Sequence, residues 1–206
     1  MAENSLTCLR GEGLACRRGL KLLFAGLSLS ARGGVPLIVT GPNGTGKSSL
    51  LRILAGLLAA SEGAVRLESA SEAPLAECVH YLGHEDAVKG ALTVHANLAF
   101  WRAVLGETGL GVGEALEAVG LGGLARLRAG VLSAGQKRRL AMARLLASRR
   151  PIWILDEPTT ALDAAAQQMF AGFARAHLAQ GGILVAATHA PLDLGPGEEL
   201  RLGRAA

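Results

Sequence analysis

Aromatic residues are scarce in this sequence, and so are the features that mark disulfide-rich or membrane-spanning proteins. Phe, Trp and Tyr make up only 3% of the 206 residues, whereas 50% of the chain is hydrophobic. A folded core must therefore be built mainly from aliphatic side chains. The length predicts a single domain that spans residues 1–206.

Cysteine is almost absent. Cys8, Cys16 and Cys78 are odd in number and include no Cys-x-x-Cys pair. This pattern argues against a disulfide framework and against a zinc site. We predict that the three side chains are small, buried and apolar.

Long apolar runs are also missing, since none reaches the roughly 18 residues that a membrane-spanning helix needs. The first residues include Glu3, Arg10 and Glu12 and contain no signal-peptide core. We therefore expect a cytoplasmic chain, with any membrane association provided by a partner or by its surface.

The formal net charge is +4, with basic clusters at 17–21 and 137–139. These clusters are either solvated faces or attractors for anionic phosphates or an anionic leaflet. Aromatic residues do not alternate with them, so nucleic acid is not an expected partner.

Short apolar segments alternate with helical patterns along most of the chain. Strands are predicted at 6–10, 14–17, 23–29, 35–40, 64–67, 78–82, 152–155 and 183–187. Helices are predicted at 46–58, 92–105, 114–119, 136–146 and 164–178. The alternation is typical of an α/β fold with a doubly wound parallel sheet. The helices between about 92 and 146 interrupt it and predict an inserted helical subdomain.

A glycine-rich loop follows the predicted strand at 35–40. It fits the phosphate-loop pattern GxxxxGK[ST] with Gly41, Pro42, Asn43, Gly44, Thr45, Gly46, Lys47 and Ser48, and Ser49 continues it. Glycines let backbone N–H groups curl around a phosphate, and a helix that begins near Gly46 adds the positive end of its dipole. Lys47 is predicted to bind the β- and γ-phosphates of ATP, and the Ser48 hydroxyl to bind Mg²⁺.

An apolar strand at 152–155 leads into two carboxylates. Parallel strands deliver their last side chains to the sheet edge where ligands of α/β folds bind. We predict that Asp156 holds the Mg²⁺ shell and that Glu157 activates a water. His189 follows the strand at 183–187, at the same edge, where it is placed to bind a γ-phosphate oxygen or to orient Glu157.

Further motifs resemble those of ABC ATPases. Leu-Ser-Ala-Gly-Gln at 132–136 resembles their LSGGQ signature, and Ser133 lies 23 positions before Asp156. Ala-Leu-Asp at 161–163 resembles their D-loop, and His189 resembles their switch histidine. The resemblance implies a P-loop NTPase fold of the ABC type, with a mostly parallel sheet, a small N-terminal antiparallel β subdomain and the helical insertion.

The same resemblance implies an ATP-dependent homodimer. Members of this family bind each ATP between the phosphate loop of one copy and the signature loop of the other. We therefore expect four residues to lie at the nucleotide bound by the other copy, namely Ser133, Gly135, Gln136 and Asp163. The motion would pass to membrane subunits through the segment around His84.

A narrower resemblance is to the ATPases of the cytochrome c maturation (haem exporter) system. It is carried by Tyr-Leu-Gly-His at 81–84 and by the runs at 50–57, 132–136 and 153–158. It implies integral membrane permease partners (CcmB/CcmC-like) and a role in haem handling during c-type cytochrome biogenesis.

Two positions depart from the ABC pattern. His84 stands where most members have a Gln that contacts Mg²⁺ or the attacking water; a neutral imidazole offers one acceptor nitrogen, which protonation removes. Arg18 stands where an aromatic residue usually stacks on adenine, and a guanidinium can also lie on a purine face.

Other functions remain open at this stage. The ATPase of another small ABC exporter, for lipid or peptide, would share all of this chemistry. Soluble ABC proteins usually carry long inserts or two ATPase modules, which 206 residues do not accommodate. A nucleotide sensor without turnover would not need Glu157.

Overall fold

The computed structural model describes residues 8–68 and 73–203, which form two β-sheets and six α-helices. The strands are β1 (Cys8–Arg18), β2 (Lys21–Arg32), β3 (Pro36–Thr40), β4 (Glu62–Glu68), β5 (Val79–Leu82), β6 (Ile152–Asp156), β7 (Ile183–Ala187) and β8 (Glu198–Arg201). The helices are α1 (Lys47–Leu54), α2 (Leu75–Cys78), α3 (Val94–Leu105), α4 (Val112–Ala118), α5 (Ala134–Ala147) and α6 (Ala164–Ala179).

Five strands form a parallel sheet in the order β5-β6-β7-β3-β8. Ile154 pairs with Tyr81 on one side and with Val185 on the other. Because all five strands run the same way, the segments that follow β3, β5, β6 and β7 meet at one edge. The predicted α/β fold with a parallel sheet is confirmed.

The N-terminal strands form a separate antiparallel sheet in the order β2-β1-β4. The two strands predicted at 6–10 and 14–17 were wrong as separate elements, because β1 is continuous from Cys8 to Arg18, and residues 6 and 7 lie outside the described part of the chain. Gly11, Glu12 and Gly13 do not end the strand but form a bulge: the register shifts between Gly11 and Leu14, and Gly13 has a φ of 58°.

The side chains of the parallel sheet alternate between two hydrophobic clusters. Trp153 and Leu155 face the cluster shared with the helices α3 to α6, whereas Ile152 and Ile154 face the cluster shared with α1 and the antiparallel sheet. The parallel sheet is thus the middle layer, and its central strands β6 and β7 are buried on both faces, which explains why their sequences are largely apolar.

Helix α1 ends earlier than predicted, at Leu54 rather than at residue 58. Gly56 has a φ of 71°, and the backbone N–H groups of Gly56 and Leu57 donate to the carbonyls of Ile53 and Arg52. This is a Schellman motif, in which a left-handed glycine satisfies the last carbonyls of a helix. Apolar residues continue past Gly56, so the hydrophobic pattern does not indicate where the helix ends.

Two short elements, β8 and α2, were not predicted. β8 has the sequence Glu-Glu-Leu-Arg and is mostly exposed, so it carries no apolar signal. It forms because Leu37 and Val39 of β3 offer free pairing groups at the sheet edge.

Helices α3, α4 and α5 lie between β5 and β6 along the chain, as the fold prediction required. Thr93 caps α3 by accepting a hydrogen bond from the backbone N–H of Ala96. Helix α4 begins at Val112, two residues earlier than predicted, after Gly111.

The three cysteines are free and buried, which confirms the expectation that they are apolar packing residues. Within 8–68 and 73–203, no helix combines the length and hydropathy needed to cross a membrane.

Candidate active site

The phosphate loop joins β3 to α1 at the carboxyl edge of the parallel sheet. Gly41, Gly44 and Gly46 all have positive φ values, of 136°, 79° and 102°. A Cβ on Gly41 would clash with the carbonyl oxygen of Leu202. Only glycine therefore lets the loop turn this tightly and direct the start of α1 toward a ligand.

Lys47 is the first residue of α1 and is largely buried. Its ammonium donates to the carbonyl oxygens of Gly41 at 2.7 Å and Pro42 at 3.2 Å. Thr45 donates from its hydroxyl to the same Pro42 carbonyl at 2.9 Å. Gly41, Pro42 and Thr45 thus shape the loop from within and hold the lysine charge over it.

Asp156 ends β6 and is only 4% exposed. Its side chain lines the same cavity as Ser48. A carboxylate and a hydroxyl are oxygen ligands of the kind that hold Mg²⁺ in proteins. The site therefore suits a cation.

Glu157 follows Asp156 with a φ of 49°, a left-handed conformation that non-glycine residues rarely adopt. Its N–H donates to the carbonyl of Ala187 at 2.8 Å. One carboxylate oxygen accepts from the backbone N–H of His189 at 3.4 Å, and the other lies 3.8 Å from Nε2 of that histidine. Nε2 of His189 also lies 3.0 Å from Oδ1 of Asn43 and 3.3 Å from Nζ of Lys47.

These groups surround a cavity of about 880 Å³. This volume lies within the range of ordinary ligand pockets and is large enough for a nucleoside triphosphate. Most of the predicted site residues line it, namely Arg18, Asn43, Gly44, Gly46, Lys47, Ser48, Ser49, His84, Asp156, Glu157 and His189. The sequence did not indicate the other lining residues, Leu23, Arg52, Thr159, Thr160, Gln167 and Ala190.

The signature and D-loop residues lie outside this cavity within one chain. Ser133 caps α5 by accepting from the N–H of Gln136 at 3.2 Å, and Gln136 accepts from the N–H of Ser133 at 2.9 Å. Asp163 caps α6 by accepting from the N–H of Ala166 at 2.8 Å. A Cβ on Gly135 would meet the carbonyl oxygen of Ala161 at 2.7 Å, so the two loops lie against each other.

His84 lies between the catalytic cavity and a second cavity of about 590 Å³, and it lines both. Burial lowers the pKa of His80, which lines the second cavity, to about 4 despite a hydrogen bond to the carbonyl of Ser148. Burial also lowers the pKa of Arg144, on the same wall, to about 10.

Arg138 was not predicted as a site residue, and it contacts the backbone of the site without lining the cavity. Its guanidinium donates to the carbonyl oxygens of Asp156 and Glu157. The only available signal was an arginine five residues after Ser133, within a basic run that is equally typical of a solvated face.

Comparison with known proteins decides the family. The model of the ABC transporter family matches residues 24–160, which is more than half of the chain. The chain belongs to the ABC transporter family. The resemblance predicted from the motifs is confirmed, and this ABC protein has ATP-binding relatives over nearly its full length.

Two of those relatives are bacterial proteins of the same name, cytochrome c biogenesis ATP-binding export protein CcmA. The one from Nitrobacter winogradskyi is 55% identical over 96% of this chain and 99% of the relative. The one from Rhizobium meliloti is 53% identical over 94% of this chain and 97% of the relative.

Solved structures share the fold of this ABC protein at lower identity. A protein from Pyrococcus furiosus assigned as an ABC transporter ATP-binding protein superposes with a TM-score of 0.78 at 22% identity, covering 95% of this chain and 97% of that one. A dimeric ATP-binding cassette bound to ADP and Pi superposes with a TM-score of 0.76 at 22% identity, covering 88% of each chain.

Proposed function

We propose that this chain is the ATP-hydrolysing subunit of a membrane complex that handles haem during c-type cytochrome biogenesis. The observation that carries the ATPase assignment is the convergence of Lys47, Glu157 and His189 on one cavity at the edge of the sheet. The chain would act as one ABC ATPase domain over residues 1–206, with its helical subdomain at about 92–146.

ATP is proposed to lie with its triphosphate on the start of α1. The N–H groups of Gly44, Gly46 and Lys47 and the ammonium of Lys47 would hold the phosphates. Ser49 continues the first turn of the helix behind them. The adenine ring would lie toward Arg18 and Leu23, which line the cavity.

Mg²⁺ fits the remaining groups. The Asp156 carboxylate and the Ser48 hydroxyl share the cavity, and Mg²⁺ is commonly held by one or two protein oxygens together with phosphate oxygens and water. No larger metal cluster of His, Cys, Asp or Glu occurs among the described residues. His84 lines the same space and would bind the water shell or the attacking water through a neutral ring nitrogen. When bound, the ion neutralises charge on the phosphates.

Hydrolysis would follow from the position of Glu157. Its carboxylate accepts a proton from a water as the water oxygen attacks the γ-phosphorus, and the bond between that phosphorus and the β–γ bridging oxygen breaks to leave ADP. The N–H of His189 restrains this carboxylate, and the His189 ring, beside Lys47, is placed to contact a γ-phosphate oxygen.

A homodimer would complete the site. Ser133 begins α5 with a capping box and does not line this chain's own cavity, and Gly135 lies against the 161–163 loop. Helix N-termini bind anions, so this end suits the γ-phosphate held by a second copy. Gln136 and Asp163 would order the two loops at that interface.

The haem assignment rests on the identity of 53–55% to proteins named as cytochrome c biogenesis export proteins. We propose that the partners are integral membrane permease subunits (CcmB/CcmC-like) and that the chain lies on the cytoplasmic face of the inner membrane.

Deletion of the gene in its host tests the biological part. Haem staining of c-type cytochromes should be lost on deletion, restored by the wild-type chain and not restored by Lys47→Ala. Normal staining in the deletion strain would remove the haem assignment and favour another exporter of the same family.

A further inference from the structure

Arg138 uses every hydrogen-bond donor that it has. The side chain lies in α5 and is 3% exposed. Its Nε donates to the carbonyl of Pro158 at 3.0 Å, Nη1 donates to the carbonyl of Gly83 at 2.8 Å and to Oδ1 of Asp86 at 3.0 Å. Nη2 donates to the carbonyls of Asp156 at 2.9 Å and Glu157 at 2.6 Å. Five N–H donors meet five acceptors, and an arginine has no more to give.

These acceptors belong to two loops that are far apart in sequence. The segment from Asp156 to Pro158 begins at the last residue of β6 and carries the proposed base, and the segment from Gly83 to Asp86 follows β5 and carries His84. The guanidinium therefore joins both loops to α5 at a single buried point. Because four of the five acceptors are backbone carbonyls, it fixes where the main chain lies.

Glu157 depends on such support more than its neighbours do. Its φ of 49° lies in the left-handed region, which surrounding contacts must hold for a residue with a Cβ. Its N–H is held by Ala187 and its carbonyl by Arg138, so the peptide groups on both sides of its Cα are fixed. This backbone orientation sends the carboxylate toward His189 and the cavity.

Helix α5 is also the helix that Ser133 begins. Its start is the proposed contact to the partner copy's nucleotide, and Arg138 lies five residues further along. If α5 moves as a rigid body when its N-terminus contacts the partner copy, Arg138 moves with it.

We propose that Arg138 is a positioning residue for hydrolysis: it holds the Glu157 backbone and the 83–86 segment in register with α5. Without its five contacts the base would lose its fixed direction while the phosphate loop stayed intact. This inference rests on the proposed ATPase function.

Arg138→Lys is the main test. A lysine keeps the positive charge but brings only three donors without the planar fork, so it cannot serve all five acceptors. We expect kcat to fall on the order of 100-fold, the loss typical of a small misplacement of catalytic groups. The KM and the equilibrium Kd for ATP should stay near the wild-type values, because Arg138 does not line the cavity.

Arg139→Lys is the matched control. Arg139 is the next residue of α5 and also donates to carbonyls, those of Val119 and Gly120, but it touches neither loop of the site. Its variant should keep the wild-type kcat. If the wild-type and Arg139→Lys chains hydrolyse ATP in the same assay, the ATPase proposal holds and the result for Arg138→Lys tests only the positioning role. If neither hydrolyses ATP, the ATPase proposal itself fails.

Asp86→Ala covers the case in which Arg138→Lys does not fold. It removes one acceptor from a partly exposed side chain and leaves Arg138 in place. A several-fold loss of kcat at unchanged Kd for ATP supports the proposal. A wild-type kcat in a folded Arg138→Lys or Asp86→Ala chain would overturn it, as would an equal loss of ATP binding and turnover.

Discussion

Nζ of Lys47 lies 3.3 Å from Nε2 of His189, although 142 positions separate them along the chain. The same ring nitrogen lies 3.0 Å from Oδ1 of Asn43, so it touches two residues of the phosphate loop. Lys47 and His189 meet because β3 and β7 are adjacent parallel strands. The phosphate loop and the histidine therefore share one end of the sheet, with Glu157 beside them from the next strand.

Glu157→Gln should abolish turnover and retain ATP. The amide has the same shape as the carboxylate but cannot take a proton from water, so loss of a general base should lower kcat by about 10²- to 10⁴-fold. Bound ATP should then hold two copies together. Phosphate release and light scattering with and without ATP measure both effects, and retained turnover would show that Glu157 is not the base.

Arg18→Ala should weaken ATP binding without changing kcat. A guanidinium on a purine face contributes about 0.5–1 kcal/mol at an exposed site, so the Kd should rise about two- to fivefold. Discrimination between ATP and GTP should change as well. Arg17→Ala is the control, since Arg17 neighbours Arg18 in β1 but does not line the cavity; equal affinities in both variants would reduce Arg18 to a surface charge.

His84→Ala should lower turnover more than His84→Gln does. His84 lines the cavity, and an imidazole nitrogen or an amide oxygen can accept a hydrogen bond from water there, whereas a methyl group cannot. Phosphate release measures kcat in both variants. The exposed His95 offers a control substitution to Ala, and equal turnover by the His84→Ala and wild-type chains would show that His84 does not act in hydrolysis.

The free energy of unfolding should fall on acidification through His80. Burial lowers its pKa to about 4 from the ordinary value of 6.5, so below pH 6.5 the unfolded chain binds a proton that the native chain does not. Stability is therefore complete above pH 6.5 and declines as the pH falls toward 4, with a loss of about 2 kcal/mol by pH 5.

Urea titrations at pH 7 and pH 5 measure this loss. His80→Gln is the comparison, because Gln keeps a donor for the Ser148 carbonyl that His80 contacts at 2.6 Å and does not titrate. The variant should lose less stability on acidification. Burial also lowers the pKa of His177, so part of the decline should persist; an identical decline in both chains would contradict the assignment to His80.

Local sequence patterns were sufficient to predict the elements that carry a recognisable motif. The run from Gly41 to Ser48 predicted a tight phosphate-binding loop and the start of a helix, because glycine and lysine at those spacings suit little else. The edge strand β8 could not be predicted this way, since its charged residues pair only because β3 leaves an edge free. The stop of α1 was missed because apolar residues continue past Gly56.

The sequence by itself determined the family and the parallel α/β fold, since closely spaced motifs and apolar periodicity are properties of neighbouring residues. The roles of Ser133, Gly135 and Asp163 stay predictions, because they concern a second copy. Only the tertiary structure decided that Arg138 holds Glu157, because its five acceptors come from loops up to 55 positions away. A buried arginine and a solvated one look the same in a basic run, and only packing tells them apart.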